Sequence, residues 1–225
     1  MSDRNVLFLT FASCALLLMG AGPAHQLEEV TELPEGVPPE IAAQLDTDGY
    51  RITGPKGILC DLWFLKQVEI AADFEPKLNI KYPFASGQLV GLIRVEKKSR
   101  YTDFRGQRIR SGLHTLRYGQ QPEDGNHIGT SVIADYLLAV PAKNDTSTET
   151  ISGAKKLTDQ SAKAVRGTHP AIFSLMEVKT AAKQPTLEHD EEHEFWILNF
   201  AAKGSQNGKS VDVPIRMVTV GQAEG

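Results

Sequence analysis

From Tyr50 onward, apolar residues come in short runs separated by turn formers. The runs are "YRIT", "GILCDLWFLKQV", "GQLVGLIRVE", "GLHTLRY", "DYLLAVP", "AIFSLMEV", "EFWILNFAA" and "VDVPIRMVTV". Each is rich in Val, Ile, Leu, Phe, Tyr or Trp and is flanked by Gly, Pro, Asn, Asp or Ser, which is the signature of β-strands. Many short strands at modest spacing predict an all-β, antiparallel β-sandwich or jelly-roll-like fold. The last run alternates: Val211, Val213, Ile215 and Met217 on one face, Asp212, Pro214 and Arg216 on the other. Pro214 cannot donate to a ladder, so it predicts an edge strand or a bulge. Asn207-Gly208 predicts a hairpin turn between the last two runs.

Three segments break the pattern. "SGAKKLTDQSAKAVRG" is rich in Ala and Lys, which predicts one short helix near residues 155–166, capped by Thr158 and stopped by Gly167. Residues 25–47 carry Pro34, Pro38 and Pro39 and read as an N-terminal extension with a short helix over Pro39–Leu45. Residues 142–150, "AKNDTSTET", read as an exposed polar loop that contains a glycosylation-type triplet, Asn144-Asp145-Thr146.

The amino end divides the chain further. Arg4 precedes an apolar stretch from Val6 to Met19, and Gly22-Pro23-Ala24 offers small residues for signal cleavage. The stretch is shorter than the ~20 residues that span a bilayer, so a signal peptide over 1–24 is expected, with no membrane segment after its removal. Lipidation at Cys14 is the weaker reading, because the apolar run continues beyond it through Met19. The expected plan is a signal at 1–24, an extension at 25–47 and a sandwich domain at 48–225, in a periplasmic or secreted protein. Once the signal is gone Cys60 is alone, so no internal disulfide is available and the core must supply stability. The net charge of −4 gives no reason to expect nucleic acid as a partner.

The stretches "GILCDLWFLK", "GQLVGLIRV", "YTDFRGQRIRSGLHTLRYGQQPEDGNHIG", "DYLLAVPA" and "GTHPAIFSL" resemble a family of uncharacterised exported β-rich bacterial proteins. The resemblance implies the fold class and carries no activity and no catalytic residue.

Candidate chemistry is sparse. There is no G-x-S-x-G and no glycine-rich phosphate loop, so a non-catalytic binding or structural module is the leading expectation. "QQPEDGNHIGTS" joins two strands and offers Asp124 and His127 as ligands, although its spacing fits neither a calcium loop nor a zinc motif. His189-Asp190-Glu191-Glu192-His193 has the spacing of an inverted zinc-protease motif. That motif needs a helix, and Pro185 before it and a strand after it predict an acidic loop instead. His189 and His193 remain candidates for binding a divalent transition metal.

His25 would become the first residue after cleavage behind Ala24. Its amine and imidazole, with a second histidine from His114, His127 or His169, could then brace one copper ion, as in exported copper carriers and polysaccharide monooxygenases. His114 on its own reads as a core histidine beside Leu116 and Tyr118. Finally, Arg105, Arg108 and Arg110, with Tyr118 nearby, form a candidate binding face for an anionic glycan or a protein.

Overall fold

A computed structural model describes residues 25–121, 131–178 and 182–223. In chain order the elements are β1 (Gln26–Val30), α1 (Pro39–Gln44), β2 (Leu45–Gly54), β3 (Gly57–Leu65), β4 (Val68–Glu69), β5 (Leu89–Val95), β6 (Gly112–Gln120), β7 (Asp135–Pro141), α2 (Ala154–Ser161), β8 (Ala171–Ser174), β9 (Thr186–Asp190), β10 (Phe195–Gln206) and β11 (Lys209–Val220). Short 3-10 turns lie at Ala142–Asn144 and Ala162–Ala164. Every apolar run forms a strand, and "GILCDLWFLKQV" supplies both β3 and β4.

The strands make two sheets. The larger has seven strands in the order β1-β2-β3-β5-β6-β7-β8, and all of its pairs are antiparallel. The smaller is built on β10, with β11 along one edge. The other edge of β10 is shared: β9 pairs with Phe195–Asn199, and β4 pairs with Gly204 and Ser205. The β4 pairing is parallel, the one departure from the expected antiparallel ladder among these pairs. It arises because the chain leaves β3 and crosses directly into the second sheet.

The sheets stack as a β-sandwich. Phe64 of β3 meets Phe200 of β10 with ring centroids 4.2 Å apart, and Tyr50 of β2 meets the same ring at 5.3 Å. Ile93, Leu116 and Phe173 from one sheet share a core with Leu198, Ile215 and Met217 from the other.

The far face of the large sheet is also dry. Ile41 of α1 and Leu45 pack on Trp63 and Leu92, while Leu157 of α2 and Ile151 pack on Leu138, Val140 and Ile172. β7 is therefore buried along its whole length and β5 nearly so, which is why both read as mostly apolar runs.

Pro214 lies on β11, an edge strand of the small sheet, as its missing donor requires. Asn207 and Gly208 turn the β10–β11 hairpin, both with positive φ, at 52° and 76°.

Five expectations need correcting. Residues 25–47 are not a loose extension, because β1 is laddered to β2 over five residue pairs and α1 covers the sheet. The segment 186–190 is a strand and not a loop. Both β1 and β9 alternate exposed polar with half-buried residues at sheet edges, so neither carries the apolar run that marks a central strand.

The α2 helix begins at Ala154 behind Gly153, and Thr158 lies exposed within it rather than capping it. That register turns Leu157 and Ser161, four residues apart, toward the sheet. The chain leaves helical geometry at Val165, before Gly167, because Val165 bridges Ile109. Within 142–150, Asp145 is buried against β6. Among the described residues, no helix is long and apolar enough to cross a membrane.

Candidate functional site

The segment Tyr101–Ser111 leaves β5, turns at Gly106 and returns to β6. Thr102 bridges Arg108, and Ile109 bridges Val165. Ile109 is buried, so its neighbours Arg108 and Arg110 face outward, with Arg105 at the turn; all three arginines are exposed. They do not act as one face. Arg110 is drawn inward by its Nε, which donates to the Val165 carbonyl at 3.1 Å, and by its backbone N–H, which donates to the Ala164 carbonyl at 2.8 Å. Arg108 reaches the Ser99 carbonyl instead. Tyr118 does not belong to the face, because its ring is fully buried in the core and its hydroxyl donates to Asp135. Arg117 is buried as well.

Arg110 opens onto a cleft of about 1090 Å³ at the Gly112 end of β6. α1 with the residues before it forms one wall, the 3-10 turn at Ala142–Asn144 another, and Lys163 closes the far side. Three cations line it, Arg110, Lys143 and Lys163, against one carboxylate, Glu40. That acid is already engaged: Oε1 of Glu40 accepts from the backbone N–H of Thr148 at 2.8 Å and from the hydroxyls of Thr148 and Ser147 at 2.7 and 3.1 Å. These bonds hold its carboxyl below the usual carboxylate range. The cleft is thus locally positive on a chain that is negative overall, and such a concavity concentrates anions.

His114 also lines the cleft, at 3 % exposure. Its Nε2 lies 2.7 Å from the Arg110 carbonyl, while its Nδ1 is enclosed and has no partner. Burial pushes the imidazole below its ordinary pKa of 6.5. The expected core histidine is therefore satisfied on one side only.

The loop that forms one wall is held from beneath. Arg117 on β6 donates from Nε and Nη2 to both carboxylate oxygens of Asp145, each at 2.8 Å, and Thr115 donates to the same carboxylate. Nη1 of Arg117 reaches the Gly87 carbonyl at 3.1 Å.

A second cluster lies where β1 meets β9. His189 stacks on Trp196, its cross-strand neighbour, with centroids 4.3 Å apart and planes 11° apart. His25 lies 4.8 Å from the same indole, tilted by 51°. The Nδ1 of His25 is enclosed without a partner, and burial, with His189 nearby, lowers its pKa. His193 does not join this stack, because the turn places it on Phe195 and within 3.1 Å of Asp190.

Two of the histidines expected to complete a copper brace are elsewhere. Strands β2, β3 and β5 separate β1 from His114 on β6, and His169 precedes β8 at the opposite edge of the sheet. Asp124 and His127 lie outside the described residues. Among the described residues, no group of three or more His, Cys, Asp or Glu side chains is arranged to hold a metal ion. Cys60 is buried and free, and burial pushes its thiol up to about 12, far from reactive.

Of the cleft residues, sequence reasoning had singled out Arg110 and His114 and missed Lys143 and Lys163. No local signal marks those lysines, because only the fold brings the loop and the end of α2 to one place. Compared with family models, curated proteins and solved structures, the chain matches none of them.

Proposed function

We propose that this chain is an exported, non-catalytic binding module and that the cleft at the Gly112 end of β6 binds its ligand. One observation carries the reading. Arg110, Lys143 and Lys163 line one cleft whose single carboxylate, Glu40, is already engaged by Thr148 and Ser147. A concavity lined by cations of one sign raises the local concentration of anions, so the ligand it suits is anionic. The apolar stretch from Val6 to Met19 behind Arg4 agrees with export.

The test compares the parent with Lys143→Ala/Lys163→Ala and with Arg105→Ala/Arg108→Ala on an array of acidic and neutral glycans and acidic peptides. Signal lost in the lysine variant and kept in the arginine variant supports the cleft. Signal unchanged in the lysine variant overturns it.

A second reading, copper binding through His25, is favoured by the placement of His25 and His189 on one indole, since imidazole nitrogens suit Cu(II). In that reading cleavage behind Ala24 would add the free amine of His25 as a ligand. Copper titration of His25→Ala against the parent decides it, and equal affinity ends the idea.

A further inference from the structure

A second concavity lies at the Gln120 end of β6, opposite the cation-lined cleft at the Gly112 end. Its volume is about 890 Å³. The chain around β4 and on to β5 forms one wall, and residues 148–150 form another. Leu65, Ile70, Phe74, Ile80 and Phe84 give it an apolar floor. Four carboxylates line the same groove, Glu69, Asp73, Glu75 and Glu149, against one cation, Lys77. All four are exposed, and none forms an ion pair with another of the described residues. Two large apolar side chains stand out in solvent at this end, Leu78 at 86 % exposure and Val132 at 47 %. Their segments are joined where the Asn79 carbonyl accepts from the Ala134 N–H at 2.8 Å. One exposed apolar residue needs no account, but two at the end that holds an apolar groove mark a surface suited to a partner.

From this juxtaposition we infer that the groove docks a basic amphipathic peptide segment, its apolar side chains on the floor around Phe74 and its lysines or arginines paired with the carboxylates. Charge complementarity sets the sign, because an acidic segment would face four like charges. The floor sets the rest: a metal ion or a small hydrophilic amine would leave it uncovered. Glu69, Asp73 and Glu75 belong to one wall and Glu149 to the other, so the segment carries two or more cations. Gln44, Gln67 and Gln120 add side-chain amides that both donate and accept, as the backbone of an extended segment requires. The inference is independent of the anion-binding reading, which concerns the other end of β6.

The test is fluorescence anisotropy of the full chain with three labelled synthetic peptides of equal length, alternating Lys and Leu, Lys and Ser, or Glu and Leu. The Lys–Leu peptide is expected to bind about tenfold or more tighter than either of the others, and to weaken as salt is raised. Three variants separate the contributions. Asp73→Asn/Glu75→Gln, at exposed positions, weakens the Lys–Leu peptide about tenfold and keeps the parent's melting transition. Phe74→Ser weakens the Lys–Leu peptide and leaves the Lys–Ser peptide unchanged. Glu191→Gln/Glu192→Gln removes as much charge from the exposed turn at the far end of β10 and leaves all three peptides unchanged.

Equal binding of the Lys–Leu and Glu–Leu peptides, or of the Lys–Leu and Lys–Ser peptides, would overturn the assignment. So would full Lys–Leu affinity in Asp73→Asn/Glu75→Gln, an equal loss in Glu191→Gln/Glu192→Gln, or no Lys–Leu binding at all. Sedimentation of the parent alone supplies the remaining arm: salt-sensitive self-association abolished by Asp73→Asn/Glu75→Gln would give the groove to a second copy of the chain and overturn the separate peptide.

Discussion

Arg117 and Asp145 form a two-pronged ion pair in the interior, with Nε and Nη2 of the guanidinium each 2.8 Å from a carboxylate oxygen and neither residue reaching solvent appreciably. Asp145 follows the 3-10 turn at Ala142–Asn144, and Arg117 lies on β6. The pair therefore ties a cleft wall to the sheet. Removing one partner leaves the other charge buried and alone. Asp145→Ala is expected to cost about 3–5 kcal/mol of stability. Replacing both partners by apolar residues, Arg117→Met with Asp145→Leu, should recover most of that. Urea denaturation of the three proteins checks the prediction, and additive losses would show that the pair does not act as a unit.

His114 sets a pH dependence. Burial holds its folded-state pKa below the ordinary 6.5, so between the two values the unfolded chain binds more protons than the folded one. Stability from this group is complete above 6.5 and is lost as pH falls through the folded value. The parent should lose melting temperature relative to His114→Gln as the buffer is acidified below 6.5. Parallel curves for the two proteins across that window would refute the linkage.

The strands of the sandwich were legible because burial writes itself into the sequence. β5 and β7, covered on both faces, show as mostly apolar runs, interrupted only by Arg94 and opened by Asp135, and β11, covered on one, shows as alternation. The edge strands β1 and β9 were not legible, since their outer positions are free to be polar. The cleft was half legible. Arg110 and His114 sit in a stretch whose composition drew attention, but Lys143 and Lys163 join them only through the return of β7 and the placement of α2. Arg117 shows the same limit: nothing in the residues around it marks a buried cation, and only Asp145, 28 residues away, explains its burial.

The β10–β11 hairpin depends on its turn. Asn207 and Gly208 both adopt left-handed backbone, which asparagine tolerates and glycine prefers. Gly208→Ala is expected to destabilise by about 1–2 kcal/mol, and Asn207→Gly by much less. Thermal melts of the two variants give the comparison, and a neutral Gly208→Ala would mean that the turn relaxes to another form.

Cys60 provides a probe of global opening. It is fully enclosed, with its thiol pushed up to about 12, so maleimide should not label it in the native protein. Its labelling in urea should follow the unfolding transition seen by circular dichroism. Labelling that runs ahead of that transition would indicate a local opening around β3.

The two sheets differ in how far along the chain their neighbours come from. From β1 to β8 the large sheet proceeds almost stepwise, each strand beside the next, with only β4 skipped. The small sheet joins Val68 to Gly204 and so closes a loop across most of the chain. Short loops close at lower entropic cost than long ones, so the pairing of β4 with β10 carries a larger closure cost than the neighbour-to-neighbour pairs of the meander.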